Sequence, residues 1–230
     1  MYHYEYVPEE EWKPVYKELL EIIGKLQDEV REDFTFRFRF VGSCKRNMIT
    51  RDPTTNTGFD FDVNIEVNDP DEKYSPEEIR RILRQGLDRV THPNPYPGSW
   101  YTPVFAYRKL SAVPGYDYAE DSTRVLTIKV KDRQNARILH SCDFCIVYNC
   151  SDGRQQYIRY NKAQGSYSWE YQPKGYANLP RKIDWVKQHG LWNDVRDLYL
   201  YKKNANTDPN KHSRTIFAET VNEVWNQNRN

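Results

Sequence analysis

The chain has 230 residues and carries 34 basic and 33 acidic side chains, so its formal net charge is +1. This balance argues against a wholly basic nucleic-acid coat protein and against an acidic tail protein. Only 38% of the residues are hydrophobic, but 18 Tyr, 9 Phe and 6 Trp bury large areas per residue and allow a folded core. The length fits one large domain, or a core with a small annex.

The sequence also predicts a soluble protein of the cytoplasm, with no membrane partner. No stretch approaches the roughly 18 consecutive apolar residues of a membrane span, and the acidic first residues lack the basic-then-apolar order of a signal peptide. The 4 cysteines are too few for the disulfide framework of a small secreted protein. Cys142 and Cys145 have a zinc-like spacing, but positions three apart on a strand face opposite sides, so we expect free thiols.

The first third of the chain predicts a helix followed by two strands. Apolar residues recur at helical spacing from Trp12 to Val30, and Pro8 fits the first turn of this helix. Period-two alternation then predicts strands at residues 34–41 and 59–67, with a polar stretch between them. We expect the helix to pack across the apolar face of a sheet. The polar face of the second strand carries Asp60, Asp62, Asn64 and Glu66.

A capping box at Ser75-Pro76-Glu77-Glu78 opens a second helix, which reaches about residue 90. Its arginines are expected on a solvated outer face, with contact to a phosphate backbone as the alternative. They stand at positions 80, 81, 84 and 89. Prolines at positions 93, 95, 97 and 103 then predict an irregular connection, a place for a loop that closes over a ligand.

The second half of the chain predicts three more strands and then helices. The strands cover residues 124–131, 138–149 and 155–160, with a hairpin turn between the last two. Residues 161–177, which are rich in Gly and Tyr, are predicted to form a loop. Helical patterns make the C-terminal part of the chain helical. They cover residues 180–189, 191–203 and 213–227.

Three aspartates and a Gly-Ser pair are the candidate chemical groups. Asp60 and Asp62, one residue apart on a strand, project side by side, and Asp143 comes from a later strand. Such carboxylates either bind divalent cations or lie on a wet sheet face, and alternation alone leaves both possible. Gly42-Ser43 at a strand exit lets the backbone approach an anion, with the basic Lys45 and Arg46 beside it.

Together these segments resemble the DNA polymerase beta-like nucleotidyltransferase superfamily. Its pattern is an apolar residue and Gly-Ser, an Asp-x-Asp strand, and a third Asp on a later strand, which match Val41-Gly42-Ser43, Asp60-Phe61-Asp62 and Asp143. The resemblance covers roughly residues 8–150. The long loop between Ser43 and Asp60 is similar to that of members that make oligonucleotides, such as the oligoadenylate synthetase-like and cyclic oligonucleotide synthases.

The resemblance implies an α+β nucleotidyltransferase fold, in which a mixed β-sheet is flanked by helices and followed by a helical C-terminal segment. Residues 1–175 would form the catalytic core, and residues 176–230 would pack on it. The implied cofactors are two Mg²⁺ or Mn²⁺ ions. The implied reaction transfers a nucleoside monophosphate from an NTP to a hydroxyl acceptor and releases pyrophosphate, an activity of the EC 2.7.7 type.

The resemblance also implies a role for each candidate residue. Asp60 and Asp62 would ligate both metals, and Asp143, with Asp132 as its rival, would ligate the catalytic metal. Gly42 and Ser43 would hold the triphosphate, with Lys45 supplying positive charge. The acceptor would be a nucleotide or an RNA end. Adenylylation of a small molecule or protein, and a non-catalytic nucleotide- or RNA-binding module, are the alternatives.

Overall fold

A mixed β-sheet is the centre of the fold in this computed structural model, which describes residues 2–69, 71–92, 115–173, 175–176 and 178–229. The helices and strands in chain order are β1 (Glu5–Tyr6), α1 (Glu9–Val30), β2 (Thr35–Val41), α2 (Gly42–Lys45), β3 (Thr50–Arg51), β4 (Phe59–Asn68), α3 (Pro76–Thr91), β5 (Glu120–Asp121), β6 (Val125–Asp132), β7 (Arg137–Asn149), β8 (Gln155–Asn161), β9 (Ser166–Tyr171), α4 (Leu179–Gln188), α5 (Trp192–Ala205) and α6 (Ser213–Asn228).

Within the described ranges, seven strands form the main sheet. Their order is β2-β4-β7-β6-β5, and β8 pairs with β7 and β9 with β8. The pair β4–β7 is parallel, whereas β2–β4 and β6–β7 are antiparallel. The sheet is therefore mixed and flanked by helices, which confirms the α+β fold class expected from the sequence.

The alternation in β4 decides which side of the sheet is buried. Phe61, Val63 and Ile65 are 0% exposed, whereas the intervening Asp62, Asn64 and Glu66 are partly accessible. Residues such as Leu19, Ile23 and Leu26 of α1 are also 0% exposed and belong to the same core. Burial of one such side chain contributes roughly 1.5–3 kcal/mol, so these residues hold α1 against the apolar face. The polar face of the sheet does not contribute to this core.

Every helix and strand predicted from the sequence is present, with its ends within about two residues of the prediction. Four short elements, β1, β3, β5 and α2, were not predicted from the sequence, because they are too short to show a period. The predicted loop at residues 161–177 is wrong, because β9 lies inside it. Tyr167 and Trp169 alternate with polar residues there, and Gly165 has a φ of 63° in the tight turn from β8.

Arg80 is buried, although the sequence predicted it on a solvated face of α3. Its side chain is 1% exposed. It donates from Nε to Asp121 Oδ1 at 2.6 Å and from Nη2 to the carbonyl oxygen of Val125 at 2.9 Å. The ring of Tyr167 lies 5.4 Å from its guanidinium carbon, and the Tyr167 hydroxyl donates to Asp121 at 2.8 Å. Arg80 therefore ties α3 to β5, β6 and β9.

The described chain divides into two compact units. One comprises Met1–Tyr6, Thr50–Thr55 and Pro173–Asn230, and the other comprises Val7–Ile49 and Asn56–Gln172. In the first unit β1 pairs with β3, and α6 packs against α4 and α5. The second unit contains the main sheet with α1 and α3. The functional division at residue 175 that the sequence suggested stays a prediction.

Two other sequence predictions have structural outcomes. All four cysteines are free thiols, as expected, and Cys142 is buried whereas Cys145 is partly exposed on the opposite face of β7. No helix in the described part of the chain is long and apolar enough to cross a membrane. The predicted proline-rich connection, residues 93–103, lies outside the described residues.

Replacement of Arg80 by Ala should lower the free energy of unfolding by about 3–5 kcal/mol, because Asp121 and backbone carbonyl groups would lose their partner in a buried environment. Urea denaturation followed by circular dichroism measures this change. Arg84→Ala is the matched control, since Arg84 is exposed on the same helix, and it should stay within about 0.5 kcal/mol of the wild type. Equal stability of the two variants would contradict the assigned role of Arg80.

Candidate active site

The register of the sheet makes Asp62 and Asp143 direct neighbours. Asp62 of β4 lies opposite Asp143 of β7 in the parallel pair, and Asp60 lies opposite Ser141. All these side chains share the polar face, because aligned residues of paired strands point to the same side. Asp60 is exposed, whereas Asp62 and Asp143 are partly buried. The three aspartates singled out in the sequence are thus brought together on two adjacent strands.

Gly42 follows β2 and lies directly against Asp62. Val41 is the β2 residue paired with Asp62, so the chain leaves the sheet at this point and turns into α2. Gly42 has a φ of 60°, and a Cβ atom placed on it would come within 2.0 Å of Asp62 Oδ2. A side chain at position 42 would therefore be strained and would also clash with the carboxylate. Glycine permits this approach of backbone to carboxylate.

Thr127 holds Asp143 in place, and the sequence analysis did not identify it. Thr127 of β6 pairs with Asp143 across the antiparallel strands, and its hydroxyl donates to Asp143 Oδ1 at 2.6 Å. Thr127 is 9% exposed, so this hydrogen bond is shielded from water. Nothing in the sequence marks Thr127, because only the register of β6 against β7 brings it to Asp143.

Burial and mutual repulsion perturb the carboxylates. Burial and the charges of Asp60 and Asp143 raise the pKa of Asp62 to about 6, against a smaller lowering by Arg46. Burial also raises the pKa of Asp143, with a further contribution from Asp60, while the Thr127 hydrogen bond and Lys129 act in the opposite sense. Raised pKa values of this origin mean that the charged forms of Asp62 and Asp143 are disfavoured at these positions.

The donor chemistry of the three aspartates fits a hard divalent cation such as Mg²⁺ or Mn²⁺, which prefers carboxylate oxygens. Burial is the main cause of the raised pKa of Asp62, and the charges of Asp60 and Asp143, which add to it, are what such a cation would neutralise. Among the described residues, however, no three His, Cys, Asp or Glu side chains are already gathered tightly enough to hold a metal ion. A cation would therefore have to draw these side chains together from their present positions.

The remaining candidates occupy different positions. The Ser43 carbonyl oxygen accepts hydrogen bonds from Arg46 N at 3.2 Å and Met48 N at 3.0 Å, which close the turn after Gly42. Lys45 is exposed at the end of α2. Asp132, the rival of Asp143, lies at the β6–β7 turn and accepts from Asn135 Nδ2 at 2.7 Å. Asp132 is therefore the last residue of β6, beside the turn, and Asp143 is the aspartate beside Asp62.

The arrangement of strands and helices is the nucleotidyltransferase fold, as the sequence resemblance predicted. The chain shares this fold with solved structures of DncV from Vibrio cholerae. The GTP-bound form of DncV superposes with a TM-score of 0.54 at 16% identity, over 95% of this chain and 52% of that chain. DncV cyclic AMP-GMP synthase in complex with nonhydrolyzable GTP superposes with a TM-score of 0.55 at 15% identity, over 95% and 53% of the two chains.

A third DncV structure, in complex with the linear intermediate 5′ pppA(3′,5′)pG, superposes with a TM-score of 0.53 at 14% identity, over 95% of this chain and 52% of that chain. The chain therefore spans about half the length of DncV. No protein-family model matches the chain, and no curated protein matches it in sequence. At these identities the likeness establishes the fold.

Asp62→Asn should stabilise the metal-free protein at neutral pH. Because the folded pKa of about 6 lies above the ordinary value of 3.8, the folded state holds a proton between these pH values that the unfolded chain has released. The free energy of unfolding therefore falls as pH rises through this window, and the whole penalty is present above pH about 6. Removal of the charge should add about 1–3 kcal/mol at pH 7.5 and little near pH 4.

Urea denaturation in EDTA at the two pH values measures the difference between variant and wild type. Glu66→Gln is the matched control, since Glu66 is on the same strand and the same face, and this variant should follow the wild type at both pH values. An Asp62→Asn variant that is no more stable than the wild type at pH 7.5 would contradict the repulsion described for Asp62.

Proposed function

We propose that this chain is a metal-dependent nucleotidyltransferase that transfers a nucleoside monophosphate from an NTP to a hydroxyl acceptor and releases pyrophosphate. The observation that carries the proposal is the pairing of Asp62 with Asp143 on adjacent parallel strands, with the backbone of Gly42 against Asp62. Partly buried carboxylates that repel one another destabilise the folded state. Binding of divalent cations would explain why the chain nevertheless holds them together.

In the proposed site, Asp60, Asp62 and Asp143 would hold Mg²⁺ or Mn²⁺. Two such ions, when bound, would stabilise the attacking and leaving oxygens of an in-line displacement at the α-phosphorus. Gly42 and Ser43 would hold the triphosphate through the backbone, and the exposed Lys45 would supply positive charge to it. The acceptor hydroxyl forms the new bond to phosphorus as the bond to the bridging oxygen of pyrophosphate breaks.

For the acceptor we propose a second nucleotide. The fold is shared with DncV, whose solved forms include complexes with GTP and with the linear intermediate 5′ pppA(3′,5′)pG. This chain spans about half the length of DncV, so the acceptor is proposed for this chain and is not shown by the shared fold. The four free cysteines agree with work in the reducing cytoplasm, where NTPs and Mg²⁺ are available.

The proposal is tested by incubating the protein with each labelled NTP and Mg²⁺ or Mn²⁺, with and without a short RNA. Pyrophosphate release with a soluble oligonucleotide product would support the proposed acceptor. A lengthened RNA, or label on the protein or on an added small molecule, would support nucleotidyl transfer. It would contradict a second nucleotide as the acceptor. Nucleotide binding without turnover under all conditions would point to a non-catalytic module.

Asp62→Asn should lower pyrophosphate release by a factor of about 10³ or more, because the site would lose a carboxylate needed for both cations. Circular dichroism should show that the variant remains folded. Glu66→Gln, the matched control on the same face, should retain activity. Full activity of the Asp62→Asn variant would rule out Asp62 as a ligand of the catalytic cations.

Thr127→Val should lower turnover by about 10–100-fold, because Asp143 would lose the hydroxyl group that orients its carboxylate. Thr127→Ser, which keeps the hydroxyl, should restore most of the activity. Titration with Mn²⁺ should show a higher half-saturating concentration for the Val variant than for the Ser variant. Equal titrations for the two variants would mean that Thr127 has only a packing role.

A further inference from the structure

The free edge of the main sheet opens into a large cleft, and Lys45 is the one residue of its lining that the proposed function uses. β2 pairs with β4 on one side, and among the described residues no strand lies on its other side. A cleft of about 990 Å³ lies at this edge and extends over the polar face of the sheet to Val147 and Asn149 of β7 and Gln155 of β8. One wall comes from α1 and includes Trp12, Tyr16 and Leu20, and the floor includes residues 38–41 of β2.

The main-chain groups of β2 show which residues face this cleft. Gln27 Nε2 donates to the carbonyl oxygen of Phe36 at 3.0 Å, so the carbonyl group of Phe36 points away from β4. In an antiparallel pair the N–H and C=O of one residue point to the same side, and the side alternates along the strand. Phe38 and Phe40 therefore also direct their main-chain groups to the free edge, where the cleft lies.

The two sides of this edge differ in chemistry. Toward α1 the side chains of Tyr16, Phe38 and Phe40 are only partly buried and form an apolar wall. On the polar side of the sheet the cleft is lined by Arg39, Asn64 and Glu66. A strand laid beside β2 would present alternate side chains to these two sides, so an apolar residue would follow each polar one.

The charges of the cleft select an anionic occupant. Its lining contains four basic residues, Lys13, Lys17, Arg39 and Lys45, and a single acidic one, Glu66. Lys13 forms an ion pair with Glu9. Lys17, Arg39 and Lys45 make no ion pair with any residue in the described part of the chain.

We propose that the free edge of β2 binds an extended acidic segment of a partner protein, which adds to the sheet as a further strand. Main-chain hydrogen bonds to Phe38 and Phe40 would supply affinity, and the alternation of acidic and apolar side chains would supply selectivity. This inference stands on β2 and α1 and does not depend on the proposed catalytic activity.

Two other occupants fit less well. A second copy of the chain pairing through β2 would bring its own Arg37 and Arg39 against the same cationic edge. Residues 93–114 of this chain contain Arg108 and Lys109 and no acidic residue, so they lack the complementary charge. Single-stranded nucleic acid would match the cations and the aromatic rings but would leave the main-chain donors of Phe38 and Phe40 unused.

The probe is a fluorescein-labelled peptide of eight residues in which glutamate and valine alternate. Fluorescence anisotropy should show saturable binding, and hydrogen exchange at the amides of Phe38 and Phe40 should slow when the peptide binds. A peptide with lysine in place of glutamate should bind at least about tenfold more weakly. Equal binding of the two peptides, or unchanged exchange at Phe38 and Phe40, would overturn the proposal.

Two modified peptides test for strand pairing without any change to the protein. One is N-methylated on the valines and the other on the glutamates. Because a paired strand directs the N–H groups of alternate residues to its neighbour, only one of the two peptides should retain binding. Equal binding of both would show that the peptide does not pair with β2 and would overturn the proposal.

Arg39→Glu should weaken peptide binding about tenfold or more, whereas Arg37→Glu, on the same face of β2 but outside the cleft lining, should have a smaller effect. Protection of the Phe38 and Phe40 amides that rises with protein concentration alone would identify a second copy as the occupant. Protection by an oligomer of eight uridines, without protection by the peptide, would identify nucleic acid. Either result would replace the proposed partner.

Discussion

Like charges repel, and the sheet holds Asp62 and Asp143 as direct neighbours in spite of this. The position of both side chains is decided by the opposite face of the sheet, where Phe61, Val63 and Phe144 are fully buried. A slip of β4 by one residue would move Phe61 and Val63 into water and turn Asp60 and Asp62 into the core. Apolar burial therefore imposes the carboxylate pair, and the raised pKa of Asp62 is the electrostatic consequence.

The residues around the pair limit how the carboxylates can move. Gly42 brings main chain against one side of Asp62, and Thr127 fixes one oxygen of Asp143 by a short hydrogen bond. β6, which carries Thr127, is in turn tied to α3 by the buried Arg80 through Val125. The site is thus supported by contacts from α2, α3 and β6, which are separated from one another in the sequence by other elements.

This dependence on long-range contacts explains what the sequence could and could not predict. The face of β4 and the identity of the three aspartates follow from period-two alternation, which is local. The roles of Thr127 and Arg80 depend on which strands become neighbours, and a single sequence does not show that register. β9 was predicted as a loop because Gly165 and the tyrosines suggested irregular structure, whereas the pairing with β8 and the packing of Trp169 make it a strand.

The formal charge of +1 conceals a separation of opposite charges within one unit of the fold. Asp60, Asp62 and Asp143 share one end of the polar face, whereas Lys17 and Arg39 line the cleft beside β2. Arg46 lowers the pKa of Asp62, but burial and the charges of Asp60 and Asp143 outweigh this effect, so the pKa lies at about 6. The carboxylates are therefore placed to attract a cation, while Lys17 and Arg39 offer a basic surface to an anionic partner at the edge of the same sheet.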